Sequence, residues 1–336
     1  MTGARWITEA DVVAVLDLPA AIDALRTGLV ALSDRRAATL PKSHLSTPDH
    51  ATLHALGGWL AHAPGGLGVV GIKSWAHTAG GASPLLTVWS SADGSLLGVV
   101  EAFALGQLRT AATTGVASSV LAPTDTRIGA LIGTGKQSVA QAAAMVVACS
   151  LRELRVFSPD PTRRAEFPHR LSQAGVDVRV VLADSVAEAV DGAALITLAT
   201  RASEPILHAP MVTVSAHVNA IGAITPERAE MAPDLVAVAS MVVADDPDTA
   251  RRLASRELGA VDHVVALADV LTGARSTSDP GREPNADLTV FKAMGLGVSD
   301  LVLGAEVLAL AHAAGLGTAL PSRERHAPRL HRQHQP

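Results

Sequence analysis

From Arg127 onward the chain alternates short apolar runs with helix-like stretches, and this rhythm constrains the fold more than any other feature. RIGALIG is followed by QSVAQAAAMVVACS, ELRVFS by PTRRAEFPHRLSQAG and VDVRVVL by SVAEAVDGA; then come ALITLAT, TVSAHVNAIG and MVVADD. Short, uninterrupted apolar runs suit strands buried on both faces, and strands joined through helices pair in parallel. The pattern predicts an α/β architecture with a six-stranded parallel sheet between layers of helices.

The first of these strands runs into LIGTGKQS, residues 131–138. A glycine turn between a buried strand and a helix can be an ordinary β-α turn, but behind this run of alternating strands and helices it is expected to hold a dinucleotide. Gly133 permits the tight turn, Gly135 lets a pyrophosphate approach the backbone, and the helix start offers free N–H groups and partial positive charge. Thr134, Lys136, Gln137 and Ser138 supply polar groups within reach of phosphate oxygens, with Ser138 in place of a third glycine. The second strand ends at Ser158, where a site for NAD usually carries an acid that bonds the ribose 2′-hydroxyl. A neutral hydroxyl, with Arg163 and Arg164 nearby, suits a 2′-phosphate. This favours NADP(H) over NAD(H), although Asp160 offers an acid that could still reach a ribose. Thr200, at the end of ALITLAT, belongs to the same expected cofactor set.

The chain has 336 residues, enough for a second domain. TEADVVAVLDLPAAIDALRTGLVALS reads as one helix, capped by Thr8, with Glu9 and Asp11 in its first turn. Residues 39–118 are richer in Gly, Ser, Thr and His, with β-like runs in GLGVVGIKSW and around Asp93-Gly94, a hairpin signal. GQLRTAATTGVASSVLA follows as a helix. Later, 272–287 reads as an exposed loop, 300–317 as a helix stopped by glycine, and 321–336 as a polar, flexible tail.

At 48% hydrophobic and 18% charged residues, with mean hydropathy +0.30, the composition is globular rather than disordered. A net charge of −5 gives nucleic acid or an anionic membrane nothing to attract. Cys149 is the only cysteine, so no intrachain disulfide forms. No apolar run reaches the roughly 20 residues of a membrane span and no signal-peptide core is present, so a cytoplasmic protein is expected. With no tyrosine, four Phe and four Trp, aromatic stacking is not expected to drive ligand recognition. No metal site is expected either, since the histidines at 326, 331 and 334 lie scattered in the tail.

An ordered set of motifs resembles the ornithine cyclodeaminase/mu-crystallin family: GIK (71–73), LRTAATTGVAS (108–118), LIGTGKQS (131–138), EPIL (204–207), HVNAIGA (217–223) and TVFKAMGLGVSD (289–300). The resemblance implies a homodimer in which a Rossmann domain, residues 119–299, is inserted into an α+β substrate and dimerisation domain, residues 1–118 plus 300–320. It implies that Lys73 and Arg109 hold a substrate α-carboxylate, and that Lys42 stands for a further arginine of the family. Val298 and Asp300 fall in the segment near the nicotinamide. The residues agree on their own terms: Lys73 ends an apolar strand and Arg109 sits in an alanine-rich helix, and cations so placed need an anion. A structural salt bridge of Arg109 with Glu101 is the alternative. Val298 or not, a cap at Ser299 or Asp300 would equally explain the late motif.

One departure bears on function. Cyclodeaminases of the family carry an acid–base Asp shortly after HVNAIG, and here that position is Ile224. Cyclodeamination needs several proton transfers and a positioned base. Reduction of a preformed imine needs chiefly orientation and a held carboxylate. The expectation is therefore an NAD(P)H-dependent reductase of a small cyclic or N-substituted α-imino acid, or the reverse amino-acid dehydrogenase. One alternative is a cyclodeaminase in which Glu230 or one of His44, His54 and His77 replaces the Asp. Another is a cofactor-dependent binding protein of mu-crystallin type.

Overall fold

The computed structural model describes residues 3–49, 51–259, 261, 263–273, 287–321, 324, 326–328 and 330. The expected loop at 272–287 and the tail therefore lie largely outside the described residues.

The alternating half forms a parallel sheet of eight strands rather than six. Their spatial order is Arg179–Leu182, Glu153–Phe157, Ile128–Ile132, Leu195–Leu198, His217–Ala220, Thr289–Lys292, Met241–Ala244 and Val265–Ala266. The two additional strands are Thr289–Lys292 and the edge pair Val265–Ala266. Thr289–Lys292 escapes the sequence pattern because a lysine ends a four-residue run. Lys292 is fully buried there only because Glu257, equally buried, lies 2.5 Å from its ammonium. Strand order reverses between Ile128–Ile132 and Leu195–Leu198, the place where open parallel sheets bind ligands. The glycine turn leaves Ile132 at this point.

The second sheet is antiparallel apart from one pair. Its order is Thr318–Ala319, Arg5–Ile7, Leu96–Glu101, Leu85–Ser90, Val69–Thr78, Thr52–Leu60 and Ala37–Ser46. The Asp93-Gly94 turn joins Leu85–Ser90 to Leu96–Glu101, with Gly94 at φ +70° and Asp93 accepting from the Ser95 amide. Arg5–Ile7 and Thr318–Ala319 bring the two ends of the described chain together.

The helix expected over 8–33 is two helices, Glu9–Val15 and Leu18–Ser33. Thr8 and Asp11 form a reciprocal capping box for the first. Asp17 then caps the second by accepting from Ala20 N at 2.9 Å, and Pro19 occupies its first turn. A cap and a proline inside an apolar period mark a new start.

The helix Gly297–Ala313 lies on the inner face of the antiparallel sheet. A Cβ on Gly297 would overlap the backbone of Gly57, and one on Gly58 would press on Val298. Paired glycines thus let the helix start touch the sheet backbone. Further along, Leu301 fills the space over Gly71. The other face of this sheet carries Trp59, Val70, Ile72 and Trp89, half-buried and, among the described residues, uncovered by any helix or strand. No helix of the described residues is long and apolar enough to cross a membrane.

The helix Phe103–Leu121 joins the two halves through small buried residues and a polar tie. His217 bridges Thr289 Oγ1 at 2.8 Å and Asn219 Oδ1 at 3.1 Å, and Asn219 donates to Ser118 Oγ at 3.0 Å. His217 is completely buried, and desolvation pushes its pKa down to about 4 against hydrogen bonds that favour the charged form. An unfolded histidine takes its proton near pH 6.5, so between 6.5 and about 4 the unfolded chain binds more protons than the folded one. Stability then falls as pH drops through that window and levels off below it. Acidification from pH 7 to pH 4 should cost about 3 kcal/mol through this residue. Denaturant unfolding across pH 4–7 checks this: a His217→Asn variant should show a pH dependence flatter by that amount.

Candidate functional site

Three cations converge between the two sheets. Lys73 comes from the strand Val69–Thr78, Arg109 from the helix Phe103–Leu121, and Lys42 from the strand Ala37–Ser46. Lys73 is buried beneath the helix Gly297–Ala313, and its Nζ lies 2.6 Å from Asp300 Oδ1. Arg109 Nε lies 3.5 Å from the other oxygen of Asp300. Asp300 is therefore not the cap of its helix, which starts after Leu296 with no side-chain cap, and neither is Ser299. Nor does Arg109 pair with Glu101, whose carboxylate accepts from Trp6 Nε1 and Glu9 N.

Burial alone would raise the pKa of Asp300, but Arg109 and Lys73 together hold it below the usual carboxylate range. Lys73 is lowered by burial against the pull of Asp300. Lys42 is lowered by burial and by the charges of Arg109 and Lys73. Three cations thus face one carboxylate, which leaves room for an external anion. Two glycines make the space. A Cβ on Gly106 would come 3.3 Å from Lys73 Nζ, and Gly295, at φ +91°, lies against the Arg109 guanidinium. Asp245 fixes that second turn by accepting from Met294 N and Gly295 N at 2.7 and 2.8 Å.

A cavity of about 280 Å³ opens onto this cluster, lined by all three cations together with Trp75, Phe103, Gln137, Ile224 and Met294. Ile224 therefore stands at the cavity wall, where it presents a hydrocarbon surface. Two of the few aromatic residues line the cavity, and Lys42 and Lys73 lie 5.8 and 5.4 Å from the Trp75 ring centroid. Trp75 stacks on His54, which stacks on His44. His44, His54 and His77 are not among the lining residues. Among the described residues no group of His, Cys, Asp and Glu is placed to hold a metal ion.

Gln137 comes from the glycine turn, so the turn and the cation cluster share one cavity. Gly133 has φ +109° and donates to Phe157 O at 2.8 Å, and a Cβ there would collide with Ala199 O. Nothing lies over Gly135. Thr134 Oγ1 and Gln137 Oε1 are buried without partners, and Lys136 is exposed. Open space above a glycine and an orphaned hydroxyl at a helix start fit a dinucleotide pyrophosphate. Ser138 takes a different part from the one expected. Its hydroxyl is buried and donates to Gly135 O at 2.7 Å, so it closes the turn and does not face a phosphate. Arg170 braces the turn from outside, donating to Thr134 O at 2.9 Å, a tie that no sequence pattern marks.

The remaining expected residues lie around this centre. Ser158 is buried at the end of its strand. Asp160 caps the helix Pro161–Gln173 and pairs with Arg163 at 3.3 Å. Arg164 turns away to Ala183 O and Asp184. Val298 packs in the core against Gly58. Thr200 donates its amide and hydroxyl to Glu230 Oε1 at 2.6 and 2.8 Å, while Glu230 Oε2 accepts from Gly222 N and Ala223 N. Glu230 is therefore consumed by the backbone beside the cavity and does not line it, so it cannot take the place of the absent Asp.

Comparison with known proteins agrees with this geometry. The chain is 34% identical over 204 residues to ornithine cyclodeaminase of Brucella suis, a match covering 60% of this chain and 55% of that protein. It is 31% identical over 215 residues to the ketimine reductase mu-crystallin of Mus musculus, covering 64% and 65% respectively. The matches thus span little more than half to two thirds of these relatives. Among solved structures, a probable ornithine cyclodeaminase from Bordetella pertussis Tohama I superposes with a TM-score of 0.82 at 26% identity, covering 94% of this chain and 100% of that one. With the family's own model matching residues 9–311, the chain belongs to the ornithine cyclodeaminase/mu-crystallin family.

Proposed function

We propose that the protein is an NAD(P)H-dependent reductase of a small cyclic or N-substituted α-imino acid, working in reverse as an amino-acid dehydrogenase. The observation that carries this is the shared cavity. A dinucleotide turn opens on one side, three cations share a single carboxylate on the other, and Ile224 holds the wall where a cyclodeaminase would need a proton-transfer group. When bound, the nicotinamide supplies a hydride equivalent to the imine carbon. Arg109 and Lys73 hold the substrate carboxylate, with Lys42 adding charge from the third side. Trp75, Phe103 and Ile224 give the cavity apolar walls. Gly133, Thr134, Gly135, Lys136 and Gln137 would hold the pyrophosphate of a bound dinucleotide, with Thr200 near its nicotinamide half.

Neutral Ser158 and the exposed Arg163 support NADP(H) over NAD(H), since an acid at 158 would repel a 2′-phosphate. The uncovered apolar face with Trp59 and Trp89 supports a homodimer, because a patch of this kind is costly to leave in water. The residues named divide the work into a substrate and dimerisation part and an inserted cofactor part.

Two measurements test the assignment. NADPH oxidation should proceed with Δ1-pyrroline-2-carboxylate or Δ1-piperideine-2-carboxylate, and Arg109→Ala should lower kcat/KM by roughly 100-fold or more, the loss of a charge-assisted contact. No turnover of either imine by a folded, cofactor-binding protein would count against the reductase. In the second, Ser158→Asp should shift the ratio of kcat/KM values from NADPH toward NADH by about 10-fold or more. An unchanged ratio would remove Ser158 from cofactor choice.

A further inference from the structure

We propose that Lys42 is the acid–base group of the cavity, giving a proton to the imine nitrogen on reduction and taking one from the amine in the reverse direction. This rests on the reductase reading above and adds to it a group that moves the proton.

The cavity wall offers few candidates. Its titratable side chains are Lys42, Lys73 and Arg109, with no carboxylate and no imidazole among the lining residues. Arg109 cannot release its proton at any working pH. Lys73 is fixed on Asp300 at 2.6 Å, and that carboxylate opposes loss of its proton. Ile224 has no proton to offer. Lys42 differs from its neighbours. Among the described residues its ammonium makes no hydrogen bond or ion pair, and it rests 5.8 Å from the Trp75 centroid, a contact that leaves its N–H groups free for a ligand.

The groups around it favour an exchangeable proton. Lys73 faces it from the strand Val69–Thr78, Arg109 from the helix Phe103–Leu121 and Asp300 from the helix Gly297–Ala313. His54 stands on the adjacent strand, and His44 two residues along its own. Burial and the two cations draw the Lys42 ammonium below the ordinary lysine range, with Asp300 opposing. Lysine in such surroundings shifts readily, where arginine would not.

The step balances. The imine carbon accepts a hydride from the reduced nicotinamide dinucleotide, and the C=N π pair moves onto nitrogen. That nitrogen takes a proton from the Lys42 ammonium. The products are the amine, the oxidised cofactor and a neutral Lys42, which regains its proton from solvent.

The chain contains only four lysines, so each can be followed separately. Competitive acylation with acetic anhydride across pH 6–11, read by mass spectrometry, reports the titration of Lys42 against the exposed Lys136. Lys42 should become reactive below the pH range of an ordinary lysine side chain, and L-proline should protect it. In parallel, Lys42→Arg keeps the charge but removes the exchangeable proton. It should bind L-proline within about 3-fold of wild type, yet lose roughly 100-fold or more in kcat above the pKa of the imine. The deficit should shrink at lower pH, where the substrate arrives protonated. A Lys42 that titrates in the ordinary lysine range, or a Lys42→Arg enzyme with wild-type kcat and an unshifted pH profile, would overturn the proposal and leave the reductase standing. A wild-type protein that reduces no imine would overturn the reductase itself, and the proton donor with it.

Discussion

The buried carboxylate of Asp300 is the interaction on which the site depends. A lysine beneath a helix and an arginine in an alanine-rich helix are both costly to bury, and Asp300 compensates both at once. Its position is set by backbone contact. Because Gly297 and Gly57 have no side chains, the helix start lies directly on the antiparallel sheet, and the first turn carries Asp300 under Lys73. A single extra methyl group at that contact would lift the helix and separate the charges. Close packing of glycines is thus what allows a charged centre to form inside an apolar layer.

The parallel sheet solves a related problem with different acids. Loops at the ends of buried strands carry amide groups that must find partners. Asp245 takes those of Met294 and Gly295, and Glu230 takes those of Thr200, Gly222 and Ala223. Glu257 accepts from the amide of Glu230 while neutralising Lys292. These ties hold the turns that border the cavity, including the one that presents Ile224. Burial raises the pKa of Glu230 and Asp245, which fits acids enclosed by backbone donors and not poised in a solvated cleft.

Much of this was legible in the sequence, because the strongest signals are local. Alternating apolar runs mark buried parallel strands, the glycine turn marks the switch point, and Thr8 marks a helix start. Where pairing is non-local, the pattern falls silent. Thr289–Lys292 sits between strands distant in sequence, and its lysine masks a strand whose charge is cancelled by Glu257. The sequence points Arg109 to an anionic ligand with Glu101 as the alternative partner, and nothing in LRTAATTG shows that Asp300, almost two hundred residues later, arrives beside it. Ser138 is a small residue in a phosphate fingerprint, and only the geometry reveals that its hydroxyl turns inward. The scarcity of aromatic residues argued against stacking at the ligand, yet composition cannot say where the few are placed.

The charge balance of the cavity follows from which acids face it. Asp245, Glu230, Glu257 and Asp300 are all buried near the centre. Three of them are saturated by backbone amides or by Lys292, and Asp300 alone is shared with the cations that line the cavity. A ligand therefore meets a wall whose fixed charges are positive and whose neutral surface mixes Trp75, Phe103, Ile224 and Met294 with the polar Gln107, Thr110 and Gln137. A carboxylate finds charge-assisted partners there. A side-chain ammonium meets fixed charges of its own sign, in a setting where the low dielectric strengthens the repulsion. By using most of its acids to hold the backbone, the fold leaves the cavity wall with an excess of positive charge before any residue of the wall is considered for shape.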